Sequence, residues 1–249
     1  MGYLHNHEWL QKFSGALLNK LESVTFYTGS LQARNAGFLE EFELIAVSTS
    51  IPTTLSTFGF YSLSPWSPTY SSLLAFKQLT NLTIINPCYT GCSSTVDDDI
   101  VINLSQAMPK LNILRLGSEP CQMPGGVTVK GLVELAYRCT DLSTFRAHIR
   151  ADSLVQAAVD GMATLSSADE PPVLREECAL ATLEVGDIPL PEESALTIAL
   201  ALLHIFPRLR DIKYTNARWE DVVNTIRLSK GLSNRIGAFA RSLSQDTSK

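Results

Sequence analysis

Met108-Pro-Lys-Leu111-Asn-Ile-Leu114-Arg-Leu116 decides how this chain folds. Directly ahead of it, Asp97-Asp98-Asp99 opens a segment whose Ile100, Val101, Leu104, Ala107 and Met108 fall on one helical face. Acidic residues suit the positive first turn of a helix, and Pro109 cannot continue one. The stretch therefore predicts a helix, a breaker and a strand. In Leu111-x-x-Leu114-x-Leu116 the fourth and sixth positions point the same way, because strand side chains alternate with period two.

The cadence recurs at Leu21-x-x-Val24-x-Phe26, Leu55-x-x-Phe58-x-Phe60, Leu79-x-x-Leu82-x-Ile84, Leu142-x-x-Phe145-x-Ala147, Leu180-x-x-Leu183-x-Val185 and Leu209-x-x-Ile212-x-Tyr214. Successive first leucines are 34, 24, 32, 31, 38 and 29 residues apart. Repetition at a few tens of residues marks a stacked architecture in which no unit buries its apolar face alone. Each unit returns through a long crossover, so the strands should pair in parallel. Helices are wider than strands, which predicts an α/β solenoid with a curved parallel sheet on the concave side and helices on the convex side.

Two further units repeat the grammar. Thr128 precedes Leu132, Val133, Leu135 and Ala136, and Glu192-Glu193 precede Leu196, Ala199, Leu200, Leu203 and Phe206 before Pro207. Less regular stretches are expected to be helical at 4–20, 38–47 and 153–163, and to be loop-like at 61–72 and 166–172. A helix should run from Trp219 to about Leu228, then a second one after Gly231 to about Leu243. The expected organisation is a repeat domain over 1–230, with a C-terminal capping helix and frayed tail over 231–249.

Composition narrows the function. The 249 residues carry a net charge of −5, with scattered Lys and Arg, so no nucleic-acid partner is expected. The longest apolar run, 195–206, falls short of a bilayer span, so no membrane partner is expected. The N-terminus shows no secretory pattern, and the five cysteines are odd in number, which together predict an intracellular chain with reduced, largely buried thiols. Cys88 and Cys92 could offer two thiolates, yet no second pair completes a zinc set. His5-Asn6-His7 are adjacent residues rather than a nuclease constellation, and Asp97-Asp98-Asp99 read as a helix cap. His148 and His204 are isolated, and no nucleophile elbow occurs. No metal, cofactor or enzymatic activity is expected. An α/β hydrolase would need acids converging at strand ends, which this sequence does not supply.

Positions three, five and seven of each cadence face away from the helices. Among them Tyr61, Asn81, Arg115, Arg146, His148, Glu184 and Lys213 are the candidate partner-binding residues. Arg115 and Arg146 share a column on adjacent strands about 5 Å apart, and Glu184 in the following unit is placed to offset their repulsion.

With Phe76-Lys-Gln-Leu79-Thr-Asn-Leu82-Thr-Ile84, Phe206-Pro-Arg-Leu209-Arg-Asp-Ile212 and Cys178-Ala-Leu180-Ala-Thr-Leu183-Glu-Val185-Gly186, the chain resembles leucine-rich repeat proteins over about 10–230. The closest type in pattern is the irregular, Cys-containing one of fungal F-box proteins. That resemblance implies a protein-interaction module whose repeats hold a substrate for a ubiquitin ligase. The Leu-Pro-x-Glu-like opening of an F-box does not occur within residues 1–50, so recruitment of the ligase is not implied. A truncated or degenerate repeat fragment without its own partner is the alternative expectation.

Overall fold

A computed structural model of the chain describes residues 22–28, 56–62, 79–85, 96–117, 126–159 and 178–246. Their strands are β1 (Ser23–Thr28), β2 (Thr57–Ser62), β3 (Asn81–Ile85), β4 (Ile113–Leu116), β5 (Thr144–Arg146), β6 (Thr182–Gly186) and β7 (Asp211–Tyr214). Their helices are α1 (Asp98–Ala107), α2 (Val129–Arg138), α3 (Ala151–Val159), α4 (Ala195–Ile205) and α5 (Trp219–Asp246). The expected helices at 4–20 and 38–47, the loop at 166–172 and Cys88, Cys92 and Cys121 lie outside the described residues.

The seven strands form one sheet in sequence order, and every neighbouring pair is parallel. The register aligns the cadences position by position. Ser23, Thr57, Asn81, Ile113, Thr144, Thr182 and Asp211 form one column, while Thr25, Gly59, Thr83, Arg115, Arg146, Glu184 and Lys213 form another. Between these columns, Leu82, Leu114, Phe145, Leu183 and Ile212 are buried with the first leucines Leu79, Leu111, Leu142, Leu180 and Leu209. Inner faces of the helices join the same core through Val101, Leu104, Leu132, Leu135, Leu154, Ile198 and Leu202. One sheet face is therefore packed under helices. The other carries the polar columns.

A hydrogen-bond ladder links unit to unit just before each strand. The carbonyl at the second cadence position accepts two backbone N–H groups of the next unit: Glu22 from Ser56 and Thr57, Ser56 from Thr80 and Asn81, Thr80 from Asn112 and Ile113. It continues with Asn112 accepting from Ser143 and Thr144, Ser143 from Ala181 and Thr182, and Ala181 from Arg210 and Asp211. Hydroxyls reinforce it, since Ser56 Oγ donates to the Glu22 carbonyl, Thr80 Oγ1 to that of Ser56 and Ser143 Oγ to that of Asn112. A backbone that must turn into a strand thereby leaves few polar groups without partners.

The helix ends also repeat. Met108, Cys139 and Phe206, all fully buried, cap α1, α2 and α4, with N–H groups donating to Leu104, Leu135 and Leu202. Three residues further on, Leu111 and Leu142 donate to Met108 and Cys139, and Leu209 does the same to Phe206. Asp97 caps α1 as its acidity predicts, its Oδ1 accepting from the Ile100 N–H at 3.0 Å. Thr128 likewise caps α2, its Oγ1 accepting from Lys130 at 3.2 Å.

Some boundaries differ from the sequence reading. Tyr61 and Ser62 end β2 rather than starting a loop, because Tyr61 pairs with Tyr27 and Ile85 on both sides and Ser62 with Thr28. Within the described residues α3 begins at Ala151 and is followed to Val159. Glu192 and Glu193 do not open α4. Glu193 turns through the left-handed region at φ 58°, and Ser194 is the N-cap but its side chain caps no helical N–H, its Oγ donating instead to the Pro191 carbonyl at 2.6 Å. The acids are displaced into that turn, and Glu192 pairs with Arg218 at 3.6 Å. α5 runs unbroken through Gly231, since a single glycine lowers helix stability by about 1 kcal/mol and does not terminate a helix held at its start. That start is pinned by buried Trp219, whose indole Nε1 donates to the Ile188 carbonyl at 2.8 Å.

Candidate interaction face

Strand alternation delivers Arg115, Arg146, Glu184 and Lys213 to the same column of the sheet, on the side away from the helices. Their side chains converge on one carboxylate. Arg115 Nη2 lies 3.0 Å from Glu184 Oε1, and its Nε donates to both Glu184 oxygens at 3.3 Å. Lys213 Nζ donates to Oε1 at 3.2 Å from the opposite side. Arg146, on the strand between, approaches Oε2 at 4.0 Å. The adjacency of Arg115 and Arg146, repulsive on its own, is thus bridged by the anion that the next unit supplies.

Glu184 is the best shielded member of the group, at 12% side-chain exposure, against 29% for Arg115 and 59% for Lys213. Desolvation alone would raise its carboxyl, but the hydrogen bonds and charges of Arg115 and Lys213 prevail and hold it below the ordinary value of 4.5. The group is a charge array whose long side chains are held to one carboxylate by hydrogen bonds and ion pairs. These four side chains sum to +2.

The remaining candidates lie elsewhere. Asn81 sits in the neighbouring column, where its Nδ2 donates to Thr57 Oγ1 at 3.0 Å. His148 is packed against residues 126–128: its carbonyl accepts from Val127 N at 2.8 Å, and a Cβ at Gly126 would lie 2.7 Å from His148 Cδ2. Gly126 adopts φ +138°, so that close passage requires glycine twice over. Burial pushes the His148 imidazole below its ordinary value, which favours the neutral ring. The backbone of Tyr61 pairs with Tyr27 and Ile85, and its side chain lies outside the described residues.

One polar contact escaped the sequence reading. Asp98, second in the acidic run, spans two units: Oδ1 accepts from the Thr128 N–H at 2.7 Å and Oδ2 from Thr128 Oγ1 at 2.6 Å. It locks the first turn of α1 to the first turn of α2. The same approach is felt at Gly131, where an added Cβ would overlap Asp98 Oδ1.

Among the described residues no group of three or more His, Cys, Asp or Glu side chains is arranged to hold a metal ion. No described helix is long and apolar enough to cross a membrane. Cys139 and Cys178 are free thiols in the core. No protein-family model matches the chain, and no curated protein matches it either.

Proposed function

We propose that the chain is a non-enzymatic protein-interaction module, built as a leucine-rich repeat solenoid of about seven irregular units with its sheet on the concave side. The in-register columns and the repeated ladder support the solenoid reading, because each unit makes the same bonds to the next. The observation that carries the binding role is the Glu184-centred array on the sheet face. Arginines held in place lose little freedom on binding, and arginine is enriched among residues that dominate interface energy. The partner is a protein, and the F-box resemblance extends only to the substrate-holding repeats, not to recruitment of a ubiquitin ligase.

Paired affinity purification from the source cell tests the reading, using the wild type and Arg115→Ala/Arg146→Ala at matched fold content by circular dichroism. A specific protein whose recovery falls at least about tenfold with the variant is the expected result. Equal recovery by a folded variant removes the array from the interface.

A further inference from the structure

The Glu184 array holds more positive charge than its one carboxylate can neutralise. Arg115 meets Glu184 through Nε and Nη2, and Lys213 gives it one bond. A guanidinium carries five N–H donors and an ammonium three, so a single carboxylate cannot occupy them all. Arg115 Nη2 and Lys213 Nζ reach the same oxygen, at 3.0 and 3.2 Å, which sets both cations within reach of one further anion. Glu184 is the shielded member of the group and Lys213 the exposed one.

The positive charge is also confined. In the same column β1, β2 and β3 carry Thr25, Gly59 and Thr83, and the three cations stand on β4, β5 and β7. At the seventh place of the cadence the β4 and β6 units have Gly117 and Gly186, so neither brings a side chain over Arg115 or Glu184. Among the described residues, a Cβ at Gly117 would meet nothing within 4 Å. The residues outside the array sum to −7, the whole chain to −5 and these four side chains to +2.

We propose that the array recognises an acidic segment of the protein partner, a peptide whose carboxylate lies across Arg115 and Lys213 opposite Glu184. This rests on the binding-face reading above and names the chemistry of what binds there. A second carboxylate takes up donors that Glu184 leaves, in charge-assisted bonds, and completes the neutralisation that Glu184 begins. The rest of the chain repels such a segment, which directs it to this column. A nucleic acid is a poor occupant, because its backbone needs cations spread along its length and these three gather around one point. Asp211 opposes the segment, since it precedes Lys213 by two residues on the same face of β7.

Fluorescence anisotropy with the full chain tests the proposal, using a labelled peptide with a central run of glutamates and the same peptide with glutamines. The expected result is salt-sensitive binding of the glutamate peptide alone. Arg115→Ala/Lys213→Ala, at unchanged fold content, should weaken it at least about tenfold. Asp211→Asn, which takes no part in the bonds of the array, should tighten it about twofold. Absence of binding at low salt, equal binding of the glutamine peptide, or tighter binding of an oligouridylate of equal charge overturns the proposal. A cellular partner that Arg115→Ala/Arg146→Ala loses but excess glutamate peptide does not displace also overturns it, while leaving the binding face in place. Equal recovery by that variant would instead remove the face itself.

Discussion

Glu184 ties the side chains of three other strands together through one carboxylate, and in the proposed function it also holds the arginines of the binding face. Its carboxylate neutralises part of a cationic column that would otherwise destabilise the sheet. Glu184→Gln should therefore lower unfolding stability by about 1–3 kcal/mol at neutral pH, a range already reduced for the solvent that reaches Lys213. The sign with pH follows from a folded carboxyl held below 4.5: the contribution is present above that value and is lost as pH falls through the lowered one. Urea unfolding at neutral pH and at about pH 3 should show the gap between wild type and variant closing in acid. A gap of constant size would mean that the ion pairs do not stabilise the fold. Cys139, whose thiol burial pushes up to about 12, makes a second residue-scale case. Because the thiolate is the nucleophile, Cys139 and Cys178 should resist alkylation in the native protein and label rapidly in urea, as peptide mass spectrometry would reveal. Fast native labelling would place these thiols outside the core.

The helices and their junctions show which signals sequence carries well. Asp97 and Thr128 were legible as caps because capping depends on residues within a single turn. The Asp98 bridge to Thr128 was not, since it joins residues 30 apart in sequence whose approach depends on how the units stack. The same physics misplaced the start of α4: acids ahead of an apolar run suggested a cap, but the Pro189 and Pro191 approach put them in a tight turn instead. Gly131→Ala offers a discriminating test at this scale. Helix propensity alone favours alanine by about 1 kcal/mol. The Asp98 carboxylate leaves no room for the Cβ, so the variant should melt lower than the wild type by thermal denaturation. A higher melting temperature would show that the two helices are not clamped together as described.

Across the whole molecule, the apolar cadence was sufficient to read the strands, their parallel order and the polar columns, because period-two alternation and a fixed register are both written in residue type. The Arg115 and Arg146 pairing with Glu184 was readable for that reason. What escaped was whatever depends on packing between units, such as the enclosure of His148 by Gly126 and the continuity of α5. All of these features rest on a shared core that runs from Phe58 on β2 to Ile226 on α5. Leu114 lies at the middle of that core, fully buried on β4 with parallel neighbours on both sides. The most direct measurement is equilibrium urea unfolding of Leu114→Asp beside the wild type. A buried, unpaired carboxylate at the centre of a continuous stack should abolish the cooperative transition. A soluble variant with a normal, cooperative transition would contradict the stacked-repeat core itself.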